Sequence, residues 1–366
     1  MSEKVYHFGF GVNADYVKYA GILMTNLTEL HPERRLCFHF ACDGIEAGDQ
    51  KRLAAFARRY RNVKIKIYDA AQRLDQLNPI RSDAPERLHR ATLIRIILPE
   101  LLPPQLERLV YMDVDMVCRQ RLDELFTLKL EGCAVAAAEY PNECRAPALL
   151  GLTQERYFNA GLLVLDLQRW RSEGLTGRVL EFYQRFGNKL PLLDQDALNA
   201  VIDGNFLTLD KRYNFLVEAN NPLMAVYPAD TAVLHCINES KQWMAGCLPE
   251  ISGLYWRYVR QSPWHELRPS EPATVKAAFL AATTAEINGE TEQAIKYYLL
   301  VIDRFFEHYQ SKNPDLLQAA REECLRAEAA ERQGDLALTA RCYGLAASRL
   351  SKQYLLDNPE IMNRKK

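Results

Sequence analysis

The first two thirds of the chain repeat one pattern, in which a short apolar run rich in Val, Ile, Leu and Phe precedes a stretch with helical periodicity. The apolar runs are VYHFGF at 5–10, LCFHFACD at 36–43, VKIKIYDA at 63–70, RLVYMDVD at 108–115 and NAGLLVLDL at 159–167. Strands that alternate with helices form βαβ units, which build a mainly parallel sheet covered by helices on both faces. The pattern therefore predicts an α/β domain.

The composition is that of a folded protein without a strong charge. The 366 residues include 46 Lys and Arg against 47 Asp and Glu, a formal net charge of −1. This balance lacks the basic footprint of a nucleic-acid-binding protein. No apolar run approaches the ~18 residues of a membrane span, and the start, MSEKVYHFGF, does not have the pattern of a signal peptide. We therefore expect a cytoplasmic protein that does not bind nucleic acid, with its nine cysteines mainly as buried free thiols.

The last quarter of the chain has a different character. The proline-containing stretch SPWHELRPSEP at 262–272 is typical of a linker, and an Ala-, Leu- and Glu-rich sequence with helical period follows it. Within that sequence, AEINGETEQAIKYY at 285–298 and AERQGDLALTARCYG at 330–344 echo each other, each with Gly at a predicted helix junction. We expect an α/β domain over 1–268 and an all-α domain over 269–366 that is similar to tetratricopeptide repeats.

Two aspartates follow the apolar run RLVYM. Asp113 and Asp115 are spaced i, i+2, so a strand end projects both carboxylates towards one side. Two carboxylates held close together repel each other unless a cation lies between them, and carboxylate oxygens are ligands for hard divalent cations. The pair therefore points to a metal site, with a polar turn in a surface loop as the alternative.

Three further segments place polar residues beside apolar runs. Asn159 in YFNAG either contributes to a tight turn or offers an amide to a polar ligand. Asp194 in LLDQDALN resembles a helix N-cap, which leaves the neighbouring Gln195 and the second aspartate, Asp196, unexplained. His235 ends the run TAVLH and is either a core histidine or a third metal ligand, while Lys241 offers a cation for phosphate.

Together these segments resemble glycosyltransferase family 8, a family of retaining, nucleotide-sugar-dependent enzymes. Its members include bacterial lipopolysaccharide-core hexosyltransferases, lipooligosaccharide galactosyltransferase and glycogenin. The resemblance covers about residues 4–268, and the motifs occur in the family order. They are GVNADY at 11–16, RATLIRI at 90–96, MDVD at 112–115, YFNAGLLVLDL at 157–167, LLDQDALN at 192–199 and H-x-x-x-x-x-K-x-W at 235–243.

The resemblance implies a GT-A fold, which is a Rossmann-like, mixed but mainly parallel sheet flanked by helices. It also implies a UDP-sugar held through Mn2+ (or Mg2+), with Asp113, Asp115 and His235 as the metal ligands. The positions that match the substrate-binding segments of the family are Asn13, Asp15, Tyr16, Arg95, Val114, Glu139, Asn159, Ala160, Asp194, Gln195, Asn238 and Lys241.

Gln195 and Asp194 are the catalytic candidates that the resemblance implies. Gln195 would lie near the anomeric carbon, where the acceptor or a nucleophile must act. An amide is a poor nucleophile, so same-face attack with a UDP phosphate oxygen as the base is favoured over a covalent intermediate. Asp194 is kept as the alternative nucleophile.

The function expected is that of a metal-dependent retaining hexosyltransferase. It would move galactose or glucose from a UDP-sugar to a saccharide or glycolipid acceptor, in lipopolysaccharide or other cell-surface glycan synthesis. The basic end NRKK is compatible with peripheral association on the inner face of a membrane. One alternative is a catalytically lapsed scaffold that docks a protein partner through its helical domain. Another, nucleotidyl transfer, calls for a basic phosphate loop, and GFGVNADY contains no Lys or Arg.

The aromatic segment LYWRYVRQSPW at 254–264 has two interpretations. Tyr255, Trp256, Tyr258 and Trp264 either stack on acceptor sugars or pack in the core, and core packing is the more common use of such residues.

Overall fold

The structure is a computed structural model that describes residues 4–77, 90–140, 150–153, 156–219, 226–237, 241–272, 274–308 and 314–357. Its strands are β1 (Val5–Asn13), β2 (Arg35–Asp43), β3 (Val63–Asp69), β4 (Arg108–Met112), β5 (Met116–Cys118), β6 (Val135–Glu139), β7 (Phe158–Asp166), β8 (Leu207–Leu209), β9 (Phe215–Val217) and β10 (Val233–Cys236). The helices of the α/β region are α1 (Val17–Leu30), α2 (Ala47–Arg59), α3 (Ala71–Asp75), α4 (Ile94–Leu101), α5 (Asp123–Thr127), α6 (Leu167–Ser172), α7 (Leu175–Phe186), α8 (Asp194–Ile202) and α9 (Pro249–Gln261). The C-terminal helices are α10 (Val275–Ile287), α11 (Thr291–His308), α12 (Pro314–Arg332) and α13 (Leu336–Asp357).

A seven-stranded sheet of order β3-β2-β1-β4-β7-β6-β8 forms the centre of the α/β region. Strands β3, β2, β1 and β4 run parallel to one another, β7 is antiparallel to both β4 and β6, and β8 is parallel to β6. All five predicted apolar runs form strands of this sheet. The mixed, mainly parallel sheet confirms the predicted fold class.

Two glycines in β1 allow α4 to pack closely on the sheet. A Cβ atom added to Gly9 would lie 2.9 Å from a side-chain carbon of Leu98, and one added to Gly11 would lie 2.9 Å from Cβ of Ile94. Because neither glycine has a side chain, α4 packs closely on β1, and it also contacts β2. This packing places Arg95, the second residue of α4, near the carboxyl end of β4.

The direction of β7 decides which residues share the functional edge of the sheet. Ligands bind such sheets at the carboxyl ends of the parallel strands. Because β7 runs in the opposite direction, its first residues lie at that same edge, and the backbone N–H of Asp113 donates to the carbonyl of Gly161 over 2.7 Å. Residues that follow β1 and β4 therefore lie at the same edge as residues that begin β7.

Two local predictions require correction. The pattern over 167–186 predicts one helix, but the structure has two, α6 and α7, separated at Gly174, which has a left-handed φ of 61°. Asp194 is not the N-cap of α8 but its first helical residue, and the capping position belongs to Leu193, with a φ of 52°. The Asp194 carboxylate is therefore directed to another partner, described below.

Internal contacts divide the chain into two compact units. The first contains Met1–Phe215, Pro228–His235 and Arg257–Glu266, and the second contains Leu216–Tyr227, Cys236–Trp256 and Leu267–Lys366. The domain boundary expected between 268 and 269 stays a prediction.

Four helices at the C-terminal end of the second unit form two helical hairpins. Helix α10 packs against α11, and α12 packs against α13. Gly289 and Gly334 occupy the two turns with left-handed φ values of 75° and 74°, as expected of glycines at helix ends. The predicted helix junctions are confirmed.

The aromatic segment at 254–264 serves mainly the core. Tyr255, Tyr258 and Trp264 are 3%, 4% and 1% exposed. The ring of Trp264 packs on Gly21 of α1, where an added Cβ would lie 2.0 Å from the ring. Core packing is thus the correct interpretation for these three residues.

Two predictions from the composition concern membrane-spanning segments and the cysteines. None of the described helices has the length and apolar character needed to cross a membrane. All eight described cysteines are free thiols, and six of them are buried.

Candidate functional site

The acidic pair and the distant histidine converge at the functional edge. Asp113 and Asp115 flank Val114 in the turn between β4 and β5, and His235 lies on β10, which pairs antiparallel with β5. His235 faces Met116 in that pairing, so its imidazole lies beside Asp115, with Nε2 3.2 Å from Oδ1. One ligand atom from each of Asp113, Asp115 and His235 lies within 4.8 Å of the other two.

A buried arginine links this group to a third carboxylate. Nη2 of Arg95 lies 3.0 Å from Oδ1 of Asp113, and its Nε lies 2.9 Å from Oδ2 of Asp194. Nη1 of Arg95 donates to the carbonyl of Ala160 over 2.7 Å, and the guanidinium lies 5.3 Å from the ring centre of Tyr111. Three carboxylates thus face one guanidinium, and the cluster has an excess of negative charge.

The pKa values of the carboxylates reflect that excess. Burial raises the pKa of Asp113, and the charge of Asp115 raises it further, while Arg95 acts in the opposite direction. Burial raises the pKa of Asp194 to about 6, although Arg95 again opposes the shift. Ionised carboxylates in this position are stabilised by additional positive charge.

The donor set fits a divalent cation. Two carboxylates and one imidazole suit several first-row divalent ions, Mn2+ among them. The side chains of Asp113 and Asp115 are 21% and 18% exposed, so a ligand can reach them, whereas the His235 side chain is 6% exposed. Of the two interpretations of His235, the metal-ligand interpretation therefore has the geometry it needs.

A hydrogen-bonded residue that the sequence analysis missed lies behind His235. Asn214 is 4% exposed, and its Oδ1 lies 2.9 Å from Nδ1 of His235. Its Nδ2 donates to Oδ1 of Asn159 over 2.8 Å. The only signal in the sequence is a polar residue within the otherwise apolar or aromatic run YNFLV at 213–217, which indicates a buried amide with a specific partner.

The amide of Gln195 is held at both ends. Its Oε1 accepts from Nδ2 of Asn159 over 3.1 Å and from the backbone N–H of Ala160 over 3.0 Å. Its Nε2 donates to the Tyr157 hydroxyl over 3.1 Å, and that hydroxyl donates to Asp196 over 2.6 Å. These bonds pin the start of α8 to the start of β7, which accounts for the second aspartate of LLDQDALN.

The predicted residues at the end of β1 form a local turn. Asn13 caps the short 3-10 turn Ala14–Tyr16, and its Oδ1 accepts from the backbone N–H of Tyr16 over 3.2 Å. Asp15 is exposed and Tyr16 is half-buried. The turn follows a parallel strand, so these side chains have the position of a ligand-binding loop.

The remaining predicted residues have other partners. Glu139 ends β6, and its carboxylate accepts from the Thr208 hydroxyl over 2.8 Å and pairs with Arg156 at 3.2 Å. Lys241 belongs to the second unit, where its Nζ donates to the carbonyl of Cys236 over 2.8 Å. Asn238 lies outside the described residues.

Gly161 gives the imidazole of His235 its space, and this yields a prediction. A Cβ at position 161 would lie 2.3 Å from Cε1 of His235. We expect Gly161→Ala to displace the imidazole and to weaken Mn2+ binding by roughly 10- to 100-fold, the range seen when the support of a ligand is lost. Titration with Mn2+, followed by electron paramagnetic resonance, measures the effect.

Gly177→Ala is the matched control. A Cβ at position 177, within α7, meets nothing within 4 Å. It should leave Mn2+ affinity unchanged and stabilise the helix by about 0.4–1 kcal/mol. Equal Mn2+ affinity in both variants would contradict the role given to Gly161.

Comparisons with known proteins identify the family of the chain. A sequence model described as glycosyl transferase family 8 matches residues 7–247. The chain belongs to glycosyltransferase family 8.

Two curated relatives of this family 8 chain act on lipopolysaccharide according to their names. It is 23% identical over 312 residues to a lipopolysaccharide 1,3-galactosyltransferase of Salmonella typhimurium, a match that covers 82% of this chain and 91% of the relative. It is 25% identical over 282 residues to a lipopolysaccharide 1,2-glucosyltransferase of Escherichia coli, covering 73% and 81%.

A solved structure supports the fold. The galactosyltransferase LgtC, in complex with donor and acceptor sugar analogs, superposes with a TM-score of 0.57 at 21% identity, covering 71% of this chain and 96% of LgtC. This likeness shows the GT-A fold, and the motif order is that of the family.

Proposed function

We propose that this family 8 glycosyltransferase is a metal-dependent retaining hexosyltransferase. It transfers galactose or glucose from a UDP-sugar to a saccharide or glycolipid acceptor, in the synthesis of lipopolysaccharide or another cell-surface glycan. The names of the two curated relatives support the sugar and the acceptor class. A cytoplasmic location, peripheral attachment to the inner face of a membrane and a protein partner for the helical region stay predictions from the sequence.

One observation carries the proposal, namely the convergence of Asp113, Asp115 and His235 within coordinating reach of one another. These three residues would hold Mn2+ (or Mg2+) at the edge of the sheet. When bound there, such an ion would neutralise negative charge that develops on the leaving diphosphate. A catalytically lapsed scaffold gives no reason for these residues to converge.

The chain's own residues account for donor binding. Arg95 orients two carboxylates, since it pairs with Asp113 on one side and Asp194 on the other. The side chain of Asp194 is 7% exposed, and its carboxylate is suited to accept hydrogen bonds from sugar hydroxyls. We assign Asn13, Asp15 and Tyr16 to the uridine and Lys241 to the diphosphate, following the family motifs.

The hydrogen bonds of Gln195 bear on the retaining step. Its Oε1 is turned towards Asn159 and the backbone of β7, so the amide oxygen is occupied rather than presented as a nucleophile. We therefore assign Gln195 to positioning and favour same-face attack, in which a phosphate oxygen of the leaving UDP takes the acceptor proton. Asp194, already paired with Arg95, stays the alternative nucleophile.

A thermal-shift experiment on the full chain tests donor class. A ligand that binds only the folded state stabilises it, by about 2.7 kcal/mol at a concentration of 100 times its Kd. We expect UDP, UDP-galactose or UDP-glucose to raise Tm in Mn2+ but much less in EDTA, and ADP and GDP to raise Tm less than UDP. Release of UDP from each sugar nucleotide, measured by a coupled assay, then identifies the donor.

Product analysis tests the stereochemistry. With a UDP-α-sugar, the first-formed glycoside should have the α configuration, as read from the anomeric proton coupling by NMR. A β product would contradict the retaining assignment. Binding of UDP without sugar transfer or donor hydrolysis under any condition would favour the scaffold alternative.

A further inference from the structure

Two amide side chains connect the proposed metal ligand His235 to the backbone of β7. Oδ1 of Asn214 lies 2.9 Å from Nδ1 of His235, and Nδ2 of Asn214 donates to Oδ1 of Asn159 over 2.8 Å. Both asparagines are buried, at 4% and 7% exposure. A buried amide has a definite orientation only when its neighbours can accept one arrangement and not the flipped one.

Backbone donors fix the first amide. The N–H of Gly161 donates to Oδ1 of Asn159 over 2.9 Å, and a backbone N–H can only donate. On its other side, Nδ2 of Asn159 faces Oε1 of Gln195, which the N–H of Ala160 fixes as an acceptor. A flip of the Asn159 amide would therefore break both hydrogen bonds, the one from Gly161 and the one to Gln195.

The orientation of Asn159 determines the orientation of Asn214, which in turn determines the tautomer of His235. Because Oδ1 of Asn159 is an acceptor, the group of Asn214 that meets it must be the Nδ2 donor. That leaves Oδ1 of Asn214 facing His235, and an amide oxygen only accepts, so Nδ1 of His235 carries the proton. A neutral imidazole has one N–H, so the lone pair lies on Nε2, the atom 3.2 Å from Asp115.

We propose that Asn214 and Asn159 are positioning residues that hold His235 in the tautomer able to bind a metal ion through Nε2. This inference rests on the proposed function, since it concerns the same metal centre. The backbone N–H groups of Gly161 and Ala160 fix the orientations of Asn159 and Gln195, because these groups can only donate. Asn159 is thereby assigned to support of the metal centre, beyond the place in the donor-sugar pocket that the family motif implies.

The same hydrogen bonds tie the metal ligand to the donor pocket. Asn159 donates to Gln195, whose Nε2 donates to Tyr157, and Tyr157 donates to the buried carboxylate of Asp196. Every donor in this series points away from His235 and towards Asp196. Displacement of His235 is therefore expected to disturb Gln195 as well, through Asn214 and Asn159.

The tautomer can be observed directly in metal-free protein. Two-bond proton–nitrogen NMR correlations of protein labelled with ¹⁵N-histidine distinguish the Nδ1–H from the Nε2–H form, at a pH well above the ordinary histidine pKa of about 6.5. Signals of His235 are assigned by their loss in His235→Gln. We expect the Nδ1–H form in the unmodified chain and a mixture of both forms in Asn214→Leu and Asn159→Leu.

Metal affinity provides the second readout. Loss of the group that orients a metal-bound histidine typically weakens binding by 10- to 100-fold, so the Kd for Mn2+ should rise by about that factor in Asn214→Leu. Asn214→Asp keeps an acceptor for Nδ1–H but loses the donor to Oδ1 of Asn159, so it should restore both readouts only in part. Asn62→Leu is the matched control: Asn62 donates to the carbonyls of Pro32 and Arg34, and its loss should change neither readout.

Two results would overturn the inference. One is an Nε2–H form of His235 in the unmodified, metal-free chain. The other is an unchanged tautomer together with an unchanged Mn2+ Kd in a folded Asn214→Leu protein. A failure of the proposed function looks different, since the unmodified chain would then bind no Mn2+ while the NMR measurement still reports the tautomer.

Discussion

Asp115→Asn is expected to lower metal-dependent sugar transfer by roughly 10³-fold, which corresponds to about 4 kcal/mol of lost transition-state stabilisation. The substitution removes one of two carboxylate ligands and half of the negative charge of the acidic pair. Asp115 is preferred to Asp113 for this test, because Asp113 also pairs with Arg95 and accepts from Tyr111. Donor turnover at saturating UDP-sugar and Mn2+ measures the effect.

The stability of the same variant separates function from folding. The charge of Asp115 raises the pKa of Asp113, which shows repulsion between the two carboxylates in the metal-free protein. Metal-free Asp115→Asn should therefore be as stable as the unmodified chain, or more stable, in urea unfolding. Asp69→Asn, at the end of β3, is the control and should retain full activity. Unimpaired turnover in Asp115→Asn would remove the metal-site assignment.

Arg95→Met is expected to destabilise the fold by about 3–5 kcal/mol at pH 8, because it leaves the buried carboxylate of Asp194 and the partly buried carboxylate of Asp113 without their cation. The guanidinium is 11% exposed and lies 3.0 Å from Asp113 and 2.9 Å from Asp194. Methionine keeps much of the apolar contact with Tyr111 but supplies no charge. Urea unfolding of the metal-free protein measures the free-energy difference.

The stability deficit of Arg95→Met, measured as a loss in free energy of unfolding, should increase as pH rises. The pKa of Asp194 is about 6 in the folded protein, above the ordinary 3.8, and loss of Arg95 raises it further. A carboxyl group whose pKa is raised by folding binds its proton more tightly in the folded state, so stability falls as pH rises through that range. The deficit should therefore be smaller at pH 5 than at pH 8.

Two further variants make the Arg95 prediction decisive. Adding Asp194→Asn to Arg95→Met should restore part of the lost free energy, since one uncompensated charge is removed. Arg178→Met is the control, because that exposed arginine makes one hydrogen bond of 3.3 Å to Val201. A loss of less than about 1 kcal/mol in the free energy of unfolding of Arg95→Met at pH 8 would contradict the role of Arg95 as the cation that stabilises Asp113 and Asp194.

Local pattern was sufficient to predict the strands. The runs that became β1, β2, β4 and β7 are short and mostly apolar, as expected of strands covered on both faces, whereas β3 at the sheet edge alternates Val and Ile with Lys. It also indicated that Asp113 and Asp115 share one side of a strand end. Gly174 shows where local pattern failed: the helical period continues across it, but the chain adopts a left-handed conformation there and two helices result.

The partners of the site residues depended on long-range contacts. The place of His235 beside Asp115 followed from the pairing of β10 with β5, across more than a hundred positions of sequence. Asn214 carried no motif, and its role appeared only once its two amide atoms were placed between His235 and Asn159. No periodicity encodes such a contact, because hydrogen bonds between distant segments depend on how the sheet is assembled.

By itself, then, the sequence determined the alternation of strands and helices and the identity of the acidic pair, because both follow from residues close together along the chain. The tertiary structure alone decided that β7 runs antiparallel, that Arg95 joins Asp113 to Asp194, and that the imidazole of His235 lies beside the acidic pair. The physical reason is that a cation site needs its ligands within a few ångströms in space, and only the packed sheet brings those residues together.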